Sequence, residues 1–194
     1  MKFLIDNSKF NETYADFVAG QLLTPLTNYR NWSPDYFAID NGAFSGFKLN
    51  AFRRLLNRQE PNRAGCQFVC VPDVVGNARR TLEIWERRHE VVDGWPLALV
   101  AQDGLEDLSV PWGEFECLFI GGTNEFKSSA AAWDLIQTAK ILKKHVHIGR
   151  VNSSARFENF ADVADTCDGS GVSRGLCKHF QRIIGGRQNG RLFD

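Results

Sequence analysis

The feature that most constrains the fold is a short apolar run that recurs along the chain and usually ends in an acid or in glycines. The runs occupy residues 3–5, 36–39, 66–71, 96–101, 116–120, 146–148 and 165–168. Segments with helical spacing lie at 48–58, 77–92, 127–144, 153–160 and 176–184. We expect residues 7–35 to form a mixed helical and irregular connection. Because strand and helix alternate about seven times, we expect parallel strands with right-handed crossovers.

Two architectures share this alternation, an α/β barrel and a doubly wound sheet. Polar residues follow nearly every run instead of converging on one crevice, and in a barrel all these strand ends share one mouth. We therefore expect a compact or incomplete TIM-like (β/α) barrel, with the doubly wound sheet as the alternative. A chain of 194 residues suits a single domain covering residues 1–194.

The charge balance bears on the partners. The 23 basic and 23 acidic side chains cancel, which does not fit a protein that coats nucleic acid non-specifically. From Arg174 onward, however, the charged side chains are basic apart from Asp194. This cationic tail suits phosphate groups, although a solvated helix face is an equal alternative.

Cysteine usage and hydropathy predict the compartment. The five cysteines are odd in number and lie mostly in apolar runs, which is typical of a reducing environment. The sequence has no stretch of 18 uninterrupted apolar residues, and the acid at Asp6 comes too early for a signal peptide. We expect a cytoplasmic protein without a membrane partner.

In a barrel, the polar residues that follow the runs would meet at one rim. They are Asp6, Asp40, Asp73, Gln102, Gly121, Gly122, Arg150 and Asp168. Several carboxylates in one pocket need either a metal ion or separate roles, because like charges raise one another's pKa. Each acid alone would be interpreted as a turn residue or a helix cap, and only their joint occurrence favours a functional site.

A metal site is the weaker of these two hypotheses. His145 and His147 share one face of a strand and could bind one ion, but they lie at the entrance of that strand, toward the structural end of a barrel. We expect solvent-facing or packed histidines there, and neither metal nor cofactor. Separate roles give better chemistry, since one carboxylate can attack C1′ of a nucleotide while a second transfers the proton and a third binds a guanine-like base.

Six segments surround the rim residues and the start of the cationic tail: Asp40-Asn41-Gly42-Ala43-Phe44, Pro72-Asp73, Ala101-Gln102-Asp103-Gly104, Phe119-Ile120-Gly121-Gly122-Thr123, His147-Ile148-Gly149-Arg150-Val151 and Asp168-Gly169-Ser170-Gly171-Val172-Ser173-Arg174. In order and approximate spacing they resemble motifs of the tRNA-guanine transglycosylase family. The family's zinc-binding cysteines after the nucleophile are missing, since only Cys177 and His179 follow. The resemblance therefore points to a reduced, DpdA-like relative of the kind that phages encode, which acts in the host cytoplasm.

This resemblance implies a reaction and a role for each residue. Guanine in DNA would be exchanged for a free 7-deazaguanine base, with Asp168 as nucleophile and Asp40 as proton carrier. The implied substrate-binding residues are Asp73, Gln102, Gly121, Gly122, Arg150 and, for the DNA backbone, Arg174. No zinc is implied, and a protein partner could replace the missing subdomain.

Three other functions are consistent with the same residues. A nucleoside or nucleotide hydrolase, or a deoxyribosyltransferase, would use the same nucleophile on small molecules. A tRNA-directed guanine transglycosylase would keep the family's usual substrate. A relative that binds nucleic acid without catalysis would not depend on Asp168.

Overall fold

A computed structural model describes residues 1–6, 16–26 and 30–169 of the chain. Its eight strands are β1 Lys2–Ile5, β2 Val18–Leu23, β3 Phe37–Ile39, β4 Cys66–Cys70, β5 Leu97–Ala101, β6 Cys117–Ile120, β7 His145–Ile148 and β8 Thr166–Cys167. They close in sequence order, every pair is parallel, and β8 pairs with β1. The predicted TIM-like (β/α) barrel is confirmed, and it is complete.

Six α-helices lie among the described residues. They are α1 Leu49–Gln59, α2 Ala78–Trp85, α3 His89–Val92, α4 Asn124–Lys127, α5 Ala130–Ile141 and α6 Ser154–Phe160. The single helix predicted at 77–92 is two helices, and the one predicted at 127–144 begins earlier and is interrupted. Ser129 causes this interruption because its hydroxyl caps the N-terminus of α5 by accepting the Ala132 N–H. The helix predicted at 176–184 lies outside the described residues.

Strand β2 is the element that the sequence analysis missed, since residues 7–35 were expected to lack a strand. Gly20 and Gln21 interrupt its apolar pattern. Gln21 is nevertheless buried, because its carboxamide accepts the Trp32 N–H and donates to the Arg30 carbonyl. A side chain at Gly20 would place its Cβ 1.9 Å from the Tyr36 carbonyl oxygen, so close strand packing requires glycine here.

Alternation along each strand divides the buried side chains into two layers. One cluster fills the barrel interior and consists of Leu4, Leu22, Ala38, Phe68, Cys70, Ala98, Val100, Cys117 and Phe119. The residues between them, such as Phe3, Phe37 and Leu99, face outward and pack in the larger cluster with α1, α5 and α6. The barrel interior formed by the described strands is therefore a packed core.

Candidate active site

A cavity of about 310 Å³ opens at the carboxyl ends of the strands. Its size is at the lower end of the range for small-molecule sites. Asp6, Asp40, Gln102 and Gly121 each lie two residues beyond an inward-facing side chain of β1, β3, β5 or β6, so the strand alternation carries them into the cavity. All eight residues predicted to meet at the rim line it: Asp6, Asp40, Asp73, Gln102, Gly121, Gly122, Arg150 and Asp168.

Asp168 follows β8, and β7 fixes its position. The Arg150 backbone N–H donates to Asp168 Oδ1 at 2.9 Å, and His147 Nε2 lies 3.2 Å from Oδ2. The backbone is also held, since the Asp168 N–H donates to the Ile148 carbonyl and the Val151 N–H donates to the Asp168 carbonyl. The carboxylate therefore has a defined orientation toward the cavity before any substrate binds.

His147 does not have the position that the sequence analysis expected for the two histidines. Strand β7 has only four residues, and alternation places His147 fully buried in the barrel interior directly below Asp168. Thr166 Oγ1 lies 2.8 Å from His147 Nδ1 and 2.7 Å from His145 Nε2. A Thr166 hydroxyl that donates to Nδ1 leaves the proton of His147 on Nε2, where it faces the Asp168 carboxylate.

His145 lies at the other end of this chain of hydrogen bonds. Burial, followed by any positive charge on His147, lowers the pKa of His145 to about 4, which keeps its ring neutral near pH 7. A neutral His145 with its proton on Nε2 donates to Thr166, and Thr166 then donates to His147. The buried polar groups satisfy one another, and the chain ends at the Asp168 carboxylate.

Asp40, at the end of β3, has different surroundings. Burial and, after it, the charge of Asp168 raise the pKa of Asp40 to about 7, although the Gly42 N–H donates to its Oδ1. Such a carboxyl group is populated in both protonation states near neutral pH, as a general acid–base catalyst requires. The two catalytic acids predicted from the sequence therefore lie in one cavity with unequal environments.

Asp73 is held by two carboxamides. Asn41 Nδ2 donates to Asp73 Oδ1 at 2.8 Å, and Gln102 Nε2 donates to Oδ2 at 2.5 Å. Asn41 is anchored in turn to the Val71 carbonyl, and Gln102 Oε1 accepts the Gly76 N–H. Gln102 thus braces Asp73, whereas the sequence analysis assigned it only a direct contact with the substrate. Burial raises the pKa of Asp73, and the two amide donors oppose that rise.

The two glycines after β6 have different roles. The Gly121 N–H donates to the Ala101 carbonyl at 3.0 Å within the sheet, so this amide is not available to a substrate; Gly121 nevertheless lines the cavity, and its contact with a substrate stays a prediction. Gly122 has φ +72°, and a Cβ there would meet the Phe126 ring at 2.6 Å and Asp103 Oδ2 at 2.7 Å. Only glycine suits this backbone conformation and this space.

Arg150 follows β7 and has a φ of 61°, a positive value that non-glycine residues rarely adopt. Its guanidinium donates to the Gly122 carbonyl and lies over the Phe44 ring, 4.4 Å from the ring centroid. Phe44 is 65% exposed at the mouth of the cavity. Strained backbone of this kind is concentrated at functional sites, and here it aims Arg150 across the cavity.

Lys127 was not predicted as a site residue, although it lines the same cavity. It is the last residue of α4, its side chain is 1% exposed, and its Nζ has no hydrogen-bond partner among the described residues. Burial, followed by the charge of Arg150, lowers the pKa of Lys127 to about 7. No feature of the sequence distinguishes this lysine from other lysines in amphipathic segments.

Residues 1–6, 16–26 and 30–169 contain no group of three or more His, Cys, Asp or Glu side chains arranged to hold a metal ion. Their helices are all too short or too polar to cross a membrane. Arg174, the predicted backbone-binding residue, lies outside the described residues, as do Cys177 and His179.

The sequence matches no protein-family model and no curated protein. Among solved structures, the chain is similar to one from the tryptophan synthase α2β2 complex of Pyrococcus furiosus, with a TM-score of 0.49 and 12% identity over 95% of this chain and 96% of that chain. At this identity the likeness says nothing about activity. The resemblance to tRNA-guanine transglycosylases gains no support from these comparisons and stays a prediction that rests on the motifs.

Proposed function

We propose that this chain is an enzyme, a pentosyltransferase that exchanges guanine in DNA for a 7-deazaguanine through a covalent intermediate on Asp168. The observation that carries the proposal is the pair of unequal carboxyl groups, Asp168 and Asp40, in one cavity. Asp168 is held by N–H donors, whereas Asp40 has a pKa raised to about 7. The choice of DNA and of a 7-deazaguanine follows from the sequence resemblance.

In the first half of the proposed reaction, an oxygen of Asp168 attacks C1′ of the target nucleotide and forms a C–O bond. The C1′–N9 bond breaks, and its electron pair leaves with guanine. Protonated Asp40 gives its proton to the departing base, which leaves as neutral guanine. The Arg150 N–H and His147 keep the attacking carboxylate in place, so little reorganisation precedes the attack.

In the second half, the incoming 7-deazaguanine attacks C1′ through N9 and gives its N9 proton to the Asp40 carboxylate. The bond between C1′ and Asp168 breaks, and its electron pair returns to the carboxylate. Both acids end in the states in which they began. A pKa of about 7 suits Asp40 for donating a proton in one half-reaction and accepting one in the other.

Asp73 is the proposed reader of the purine. Each of its oxygens accepts one carboxamide N–H, and a carboxylate with two oxygens side by side suits the adjacent N1–H and 2-amino donors of a guanine-type base. Asn41 and Gln102 hold the carboxylate plane fixed from the ends of β3 and β5, the two strands that pair with β4. A fixed plane favours the bidentate geometry that separates guanine from adenine.

The test is incorporation of labelled guanine into single-stranded DNA, measured as acid-precipitable label. Asp168→Asn is expected to abolish incorporation and the covalent protein–DNA adduct, while DNA binding measured by fluorescence anisotropy persists. Asp134→Asn makes the same chemical change on the exposed outer side of α5 and is expected to behave as wild type. Equal incorporation by Asp168→Asn would refute the proposal.

The choice of acceptor decides between the proposed reaction and its alternatives. DNA, a tRNA transcript and free deoxyguanosine monophosphate are offered in parallel with labelled guanine. Label in DNA alone supports the proposal, and label in tRNA alone points to a tRNA-directed transglycosylase. Exchange or hydrolysis of the free nucleotide alone points to a small-molecule deoxyribosyltransferase or hydrolase.

A further inference from the structure

The buried ammonium group of Lys127 has no role in the reaction described above. Its Nζ is shielded from solvent, lacks a hydrogen-bond partner among the described residues, and belongs to a side chain that lines the cavity. The charges that act on it are those of Arg150 and Arg156, which disfavour its protonation, and of Asp168 and Asp103, which favour it. A buried cation without a paired group is costly unless a ligand completes the site.

Arg150 provides a second cation beside Lys127. Its guanidinium lies across the loop that joins β6 to α4, where it donates to the Gly122 carbonyl and stacks on Phe44. An arginine has five N–H donors, and those not used by Gly122 stay available to a ligand. Lys127 and Arg150 both line the cavity, and the charge of Arg150 adds to the effect of burial in lowering the pKa of Lys127.

The order of strands around the barrel separates these cations from the proposed purine site. Asp40, Asp73 and Gln102 follow β3, β4 and β5, while Lys127 and Arg150 follow β6 and β7. Asp168 follows β8, the strand next to β7. The rim thus has an acceptor-rich side and a cationic side, and the proposed nucleophile lies beside the cationic one.

We propose that Lys127 and Arg150 form a phosphate-binding subsite, which takes the phosphate group of the nucleotide whose base lies against Asp73. This subsite deepens the proposed function, because it fixes the direction in which the nucleotide lies across the cavity. A phosphate accepts hydrogen bonds from an ammonium and a guanidinium together, and it neutralises the repulsion between them. The phosphate belongs either to a free nucleotide or to a polynucleotide backbone.

Isothermal titration calorimetry tests the subsite without any turnover. Inorganic phosphate, deoxyguanosine and deoxyguanosine monophosphate are titrated into the wild-type protein at pH 6.5. The monophosphate is expected to bind roughly tenfold or more tightly than deoxyguanosine, because it adds charge-assisted hydrogen bonds. Equal affinities of wild type for these two ligands would overturn the proposal, and that comparison needs no variant.

Variants assign the effect to Lys127. Lys127→Met is expected to remove the preference for the monophosphate and to leave the affinity for deoxyguanosine unchanged, while Lys127→Arg keeps at least part of the preference. Lys143→Met removes an exposed lysine from the loop before β7, at the opposite end of the barrel, and is expected to bind as wild type. An unchanged preference in Lys127→Met would overturn the assignment.

Failure of the subsite and failure of base exchange give different results. Binding of inorganic phosphate without binding of deoxyguanosine supports the subsite and argues against the purine site. Binding of deoxyguanosine without any gain from phosphate argues against the subsite alone. A single-stranded oligonucleotide with one guanine separates the two phosphate sources, since tighter binding than the monophosphate indicates a backbone phosphate and weaker binding indicates a free nucleotide.

Discussion

Removal of the Lys127 ammonium is expected to stabilise the protein, and the gain should depend on pH. In the folded protein the pKa of this lysine falls from 10.5 to about 7, mainly because of burial. The difference between these values corresponds to roughly 5 kcal/mol of destabilisation wherever the lysine is charged in both states. Lys127→Met fills a similar volume without a charge and avoids this cost.

The sign of the pH dependence follows from proton binding. Below pH 7 the folded and unfolded chains both carry the proton, and the full cost is present. Between pH 7 and 10.5 the unfolded chain binds more protons than the folded chain, so the stability of wild type rises with pH relative to the variant. The advantage of Lys127→Met should therefore shrink by about 4 kcal/mol between pH 6 and pH 10.

Urea denaturation followed by tryptophan fluorescence measures this difference, with the free energy of unfolding extrapolated to water at each pH. Lys143→Met is the matched control, since the same substitution at an exposed site should change stability by less than about 0.5 kcal/mol at either pH. An advantage of Lys127→Met that is the same at both pH values would refute the argument. Destabilisation by Lys127→Met at both pH values would refute it as well.

Two further predictions concern the mouth of the barrel. The pH profile of kcat/KM for base exchange should fall above an inflection near pH 7 as Asp40 loses the proton that the leaving guanine needs, and Asp40→Asn should remove this inflection. Gly122→Ala should lower the free energy of unfolding by about 2–4 kcal/mol through its positive φ and its contact with Phe126. Gly76 has a similar φ of 74° but open space around the position of a Cβ. Gly76→Ala should therefore lower the free energy of unfolding, measured by urea denaturation, by only about 1 kcal/mol.

The sequence was sufficient to predict the barrel and the meeting of the acids in one cavity, because both depend on short-range patterns. Each of Asp6, Asp40 and Asp168 directly follows an apolar run, and parallel strands bring such positions to one rim. The missed strand β2 lacked this signal, since Gly20 and Gln21 interrupt its apolar residues. Their burial depends on neighbouring strands and on the chain near Trp32, which no local pattern reports.

The remaining site residues depend on contacts between distant elements. Strand alternation could have identified His147, because it lies two residues before the cavity-lining Gly149 and shares its face. For Lys127 no such argument was available, since it is the last residue of α4 and its burial depends on tertiary packing that no local pattern reports. Gly121 lines the cavity as predicted, but the sheet uses its amide, which the Gly121-Gly122 motif does not reveal.

The unequal surroundings of Asp40 and Asp168 explain how one small cavity can hold an acid and a nucleophile together. The Asp168 carboxylate accepts the Arg150 N–H, and His147 Nε2 lies 3.2 Å from its other oxygen. Asp40 is buried beside that negative charge and therefore retains a proton up to about pH 7. Removing the charge of Asp168 should thus lower the pKa of Asp40, so the protonation of the proposed acid depends on the proposed nucleophile.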